Sequence, residues 1–123
     1  MLMRNRQNFA APYPRLRRYR RFDLEFPVHL SFPSAGTARE LHTISTNVSI
    51  GGFLLKASDP LPTQTQVSLT IEVKGPRLRR SIRLQGEGKV VRVERLEVGS
   101  GFALAIECKR PITEIENHLP ASG

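Results

Sequence analysis

An all-β fold, a six-stranded antiparallel β-barrel with a terminal helix, is what this sequence predicts. Three observations carry it. Short segments place apolar residues at every second position, turn-forming residues separate them, and no strand–helix–strand alternation interrupts the series. Only after Pro111 does the period become helical.

The elements follow in order. Residues 1–14 (MLMRNRQNFAAPYP) have no apolar period and two prolines, which predicts a flexible N-terminal arm. The domain is expected over 15–119, with 120–123 as a C-terminal tail. After the basic string RLRRYRR, Glu25–Phe32 alternates Phe26, Val28, Leu30 and Phe32 with other residues, the pattern of a half-buried strand. Pro33, Ser34 and Gly36 mark a turn, and 38–47 is β-compatible but less regular. Asn47–Gly52 (NVSIGG) reads as a tight turn leading into the short strand GFLLKAS.

Pro60 and Pro62 punctuate a loop before Val67, Leu69, Ile71 and Val73 alternate cleanly with polar residues. Lys74-Gly75-Pro76 predicts a hairpin connection. Arg79–Arg95 is one long β segment in which Gly86 and Gly88 suggest a bend or bulge. Gly99–Gly101 turns the chain into Phe102, Leu104, Ile106 and Cys108. Ile112, Ile115 and Leu119 then share a helical face, with Pro111 near the first turn and Pro120 at the end.

The chain has 123 residues, the size of one domain. No apolar run approaches the roughly 18 residues that cross a bilayer, and no apolar segment follows the basic N-terminus as in a secretory signal. A cytoplasmic location is therefore expected. One cysteine, Cys108, excludes an intramolecular disulfide and a cysteine zinc cage, and alternation places it in the core. His29, His42 and His118 share no metal-ligand spacing, so neither a metal nor a cofactor is expected. His29 falls on the strand face opposite Val28 and Leu30 and reads as solvated. Asp23 and Glu25 have nothing beside them that resembles an acid/base site. With no nucleophile–base pair evident, an enzyme is not expected.

The net charge is +8, and its placement is more informative than its size. Residues 1–22 hold seven arginines and no acid, whereas the remaining chain carries twelve cations against eleven acids. The expected partner is anionic and is met by the front segment. Arginine outnumbers lysine 15 to 4, a bias that suits bidentate recognition of phosphate or guanine edges. A GC-rich genome would enrich arginine everywhere but does not explain its clustering.

Two motifs carry the functional reading. The basic string contains an R-x-x-x-R frame, Arg17 to Arg21. By itself it discriminates nothing, because this composition gives about two such pairs by chance, and Arg79 with Arg83 is a second one. Asn47-Val48-Ser49-Ile50-Gly51-Gly52 fits [D/N]-x-S-x-x-G, whose chance count is roughly 0.03. A carboxamide and a hydroxyl at spacing two fall on one face of an extended chain. Gly52 permits a positive φ or a close backbone approach to a ligand. The plainer reading of the same residues is an ordinary turn between strands.

Together these features resemble the PilZ domain family. Arg17–Arg21, the strand with Pro27-Val28, and Asn47, Ser49 and Gly52 occur in order. Gly88–Arg92 and Gly101-Phe102-Ala103 follow, and the likeness covers about residues 15–118. The resemblance implies a six-stranded antiparallel barrel with a helix after the last strand, and binding of the second messenger cyclic di-GMP. It implies that Arg17 and Arg21 grip guanine and phosphate while Asn47 and Ser49 contact a guanine base. Many members carry Asp where Asn47 stands. The expected ligand-binding set is Arg17, Arg18, Arg21, Asn47, Ser49, Gly51 and Gly52.

The ligand's chemistry agrees. Two phosphates and two guanines call for positive charge together with flat hydrogen-bonding groups, which guanidinium provides and ammonium does not. Leu16 stands where an arginine could stack on a second, intercalated ligand, which favours one ligand per chain. The expected function is a stand-alone cyclic di-GMP receptor that signals to a partner protein as its arginine-rich segment orders on binding. The alternatives are a basic-arm binder of nucleic acid or anionic membrane, with nucleic acid disfavoured, and a PilZ-like adaptor that binds only protein.

Overall fold

A computed structural model describes residues 20–74 and 80–118. The expected arm, Arg17, Arg18, Leu16, the 75–79 connection, Leu119 and the C-terminal tail lie outside the described residues.

Six strands form a closed antiparallel barrel: β1 (Pro27–Ser34), β2 (Thr37–Ser49), β3 (Gly52–Ala57), β4 (Gln66–Val73), β5 (Ile82–Arg95) and β6 (Phe102–Cys108). Around the barrel the order is β1-β2-β3-β6-β5-β4, and β1 pairs with β4 to close it. Closure leaves no sheet edge unpaired, the usual hazard of a small β protein. The predicted alternation is realised directly. Val28 and Leu30, then Val67, Leu69, Ile71 and Val73, all point inward to the core around Phe53, Leu55, Leu104 and Ile106. Each such side chain contributes about 1.5–3 kcal/mol on burial. Cys108 is fully buried among them.

The β1–β2 hairpin turns on Ala35 and Gly36, both at positive φ (50° and 83°). Such a two-residue turn matches the right-handed strand twist. Three expectations are corrected. The expected NVSIGG turn is narrower, since Asn47 to Ser49 belong to β2 and Gly52 opens β3, leaving Ile50 and Gly51 to reverse the chain. The β5 bulge falls between Val90 and Arg92, not at Gly86 or Gly88. Those two glycines answer to space instead. A Cβ on Gly86 would lie 2.6 Å from Ile112 Cδ1, and one on Gly88 would lie 2.5 Å from the Glu107 carbonyl oxygen. Finally, the terminal helix is a short 3-10 helix (Thr113–His118). Ile112 and Ile115 are buried against the barrel as the helical face requires.

Candidate functional site

The site begins with how the segment ahead of β1 is fastened. Residues 22–26 run alongside the second half of β2. Buried Ser45 holds them with both halves of its hydroxyl, donating to the Leu24 carbonyl (2.6 Å) and accepting from the Phe26 amide (2.9 Å). The Ser45 amide donates to the Phe26 carbonyl (2.9 Å). Further along, Phe22 and Val48 exchange both backbone hydrogen bonds (2.9 and 2.8 Å) in an antiparallel bridge.

That bridge sets the register of everything around it. It places Asp23 beside Asn47, and the Asn47 Nδ2 donates to Asp23 Oδ1 at 3.0 Å. The same register puts Arg21 opposite Ser49. Arg21 is exposed, and the guanidinium of Arg20 lies 5.2 Å from the Phe22 ring centroid, a cation–π approach. The end of the arginine-rich string, Arg20 and Arg21, therefore lies beside the strand that carries Asn47 and Ser49. Arg17 and Arg18 continue this segment outside the described residues.

The turn is built from its own polar groups. Ser49 is 1% exposed; its hydroxyl donates to the Gly52 carbonyl (3.2 Å) and accepts from the Gly51 amide (3.2 Å). The ordinary turn role weighed from sequence is thus present, whatever else Ser49 does. The Gly51 carbonyl accepts from the Cys108 amide (3.0 Å), and the Ile50 carbonyl from the Ile112 amide (2.7 Å). Gly51 and Gly52 are buried, and neither is among the described glycines with positive φ, which are Gly36, Gly99 and Gly101. The positive-φ reading of Gly52 is therefore set aside; Gly52 is a buried residue that opens β3 and pairs with Ser49.

Asp23 and Ser45 are the residues that sequence reasoning missed. Asp23 was dismissed because its linear neighbours offer no partner; its partner is 24 residues away. The chemistry at this edge is that of a hydrogen-bonding platform. With Nδ2 donating to Asp23, Asn47 keeps Oδ1 as the atom that can accept, and Arg21 stands on the facing segment. The reading of the histidines is also corrected. His29 is half-buried, and its ring stacks on His42 at 4.5 Å between centroids.

A small closed six-stranded antiparallel barrel, with a basic segment fastened beside an N-x-S-x-x-G pattern, defines a class of small β-barrel domains. The family model described as "PilZ domain" matches residues 15–120, and the chain belongs to that family. Among solved structures it is similar to the Bacillus subtilis inhibitor of motility MotI/DgrA, with a TM-score of 0.67 at 19% identity. The match covers 82% of this chain and 46% of that one, so the present chain corresponds to less than half of that protein. At this identity the likeness is one of fold. No curated protein matches the chain. Among the described residues no helix is long and apolar enough to cross a membrane.

Proposed function

We propose that this chain is a cyclic di-GMP receptor that clasps its ligand between the arginine-rich segment and the Asn47–Gly52 edge. Its output passes to a partner protein when the segment orders around the ligand. Membership in the PilZ family supports the ligand class. The observation that carries the reading is the Phe22–Val48 bridge, which fastens the chain next to Arg21 onto the strand that bears Asn47 and Ser49.

In this reading Arg17 and Arg21 pair bidentately with guanine N7 and O6 or with phosphate oxygens, and Arg18 adds charge. Asn47 Oδ1, oriented by Asp23, accepts from the donor edge of a guanine. Ser49, Gly51 and Gly52 hold the edge in shape beneath the ligand. The chain acts as a receptor and adaptor without catalysis of its own.

Calorimetric titration tests this. Saturable binding of one cyclic di-GMP per chain is expected, with neither GTP nor cyclic GMP competing effectively. Amide exchange over residues 10–22 should slow on binding. A folded protein that does not bind the dinucleotide contradicts the reading, and two ligands per chain contradicts the stoichiometry.

A further inference from the structure

Away from the candidate nucleotide edge, the outer face of the β1–β2 pair carries a cluster that linear spacing hides. His29 and His42 are register partners across the two strands, and their stacked rings differ in plane by 21°. Glu40, two residues before His42 and so on the same face, brings Oε1 to 3.1 Å from His29 Nε2. One ligand atom from each of the three residues lies within 4.8 Å of the others. His29 Nε2 is shielded from solvent and forms no hydrogen bond, with Glu40 Oε1 at 3.1 Å as its ion-pair contact.

Buried polar nitrogens are nearly always satisfied. Two imidazoles and a carboxylate gathered around this shielded nitrogen are the donor set of a divalent metal of intermediate softness. We propose that His29, His42 and Glu40 form a zinc-class metal site, with its remaining coordination open to water or to a donor from a partner. Metal–ligand bonds of about 2.0–2.2 Å bring tetrahedral donors to roughly 3.3 Å apart. Rotation of the two rings from stacked to convergent, with adjustment of the exposed Glu40, supplies that contraction. Cross-strand partners are spaced closely enough for both to reach one ion.

The surroundings set the expected strength. Lys56 from β3, Glu72 from β4 and Arg83 from β5 line the same groove, and Thr70 pairs with His29 from β4. The two cations repel a divalent ion and the one additional carboxylate attracts it, so the surroundings weaken the site. The site is separate from the nucleotide edge, since the five-residue step along β2 from His42 to Asn47 spans about 17 Å.

The test is calorimetry on the untagged full-length chain with Zn²⁺ alone, and with Mg²⁺ as the oxygen-preferring control. One Zn²⁺ per chain is expected, and no Mg²⁺. His29→Asn or His42→Asn should weaken Zn²⁺ binding about tenfold or more, and Glu40→Gln less. In the unaltered protein, Zn²⁺ should shift the imidazole NMR signals of His29 and His42 and leave His118 in place. A folded chain that takes no Zn²⁺ overturns the proposal. So does a His29→Asn/His42→Asn double variant that binds Zn²⁺ as the parent does, or a shift confined to His118.

Discussion

The Asn47 carboxamide donates to the Asp23 carboxylate at 3.0 Å, joining the segment ahead of the barrel to the strand that bears the N-x-S-x-x-G pattern. This pairing explains why amide and acid occur in this combination here. Aspartate at position 47 would set two carboxylates face to face. Asn47→Asp is therefore expected to weaken cyclic di-GMP binding by on the order of 1 kcal/mol through like-charge repulsion. Adding Asp23→Asn should restore most of it. Titration of both singles and the double variant measures the coupling; a coupling of zero contradicts the arrangement.

Ser45 is the fastener of the same segment. Ser45→Ala leaves the Leu24 carbonyl and the Phe26 amide without their side-chain partner, at a cost of about 1–3 kcal/mol. Urea unfolding should show that loss. Cyclic di-GMP affinity should fall as well, because residues 20–22 are held less firmly beside β2.

Two glycines on β5 separate soft from hard crowding. Gly88→Ala forces a methyl against the Glu107 backbone oxygen, whereas Gly86→Ala meets the end of the Ile112 side chain. Gly88→Ala should destabilise the barrel by about 1–3 kcal/mol, and Gly86→Ala by clearly less, since Ile112 can change rotamer. Denaturant midpoints of the two variants decide the order.

Glu72 offers a pH test. The Ser81 hydroxyl donates to Glu72 Oε2 at 2.6 Å and holds its carboxyl below the usual glutamate range, with smaller help from Lys74 and Arg83 against the cost of desolvation. A carboxyl depressed on folding contributes stability that is present above its unfolded pKa. That stability is lost as pH falls through the folded one. Ser81→Ala should move the Glu72 NMR titration midpoint upward and lessen the fall in stability on acidification. An unmoved midpoint contradicts the assignment.

Much of the fold was legible because a half-buried strand writes its period into the chain. Val67 to Val73 and Val28 with Leu30 behave as alternation demands. What stayed hidden depends on register. Asp23 with Asn47 and His29 with His42 meet only once β2 is aligned against its neighbours, and linear spacing does not encode that alignment. Gly86 and Gly88 misled for a related reason: each answers to a side chain or carbonyl on a distant element, and the bulge fell at Val90/Arg92 instead. The candidate edge was found from a composition-improbable pattern. The ordinary turn role that the sequence also offered for Ser49 is met by its hydrogen bonds to Gly51 and Gly52.

The central claim is that paired guanidinium groups, and not positive charge alone, hold the ligand. Cyclic di-GMP titration of the Arg17→Lys/Arg21→Lys variant, which keeps the net charge of +8, tests it most directly. Binding should collapse while the barrel stays folded, because lysine lacks the bidentate fork. Affinity equal to that of the unaltered chain would contradict the account and favour a partner bound through charge alone.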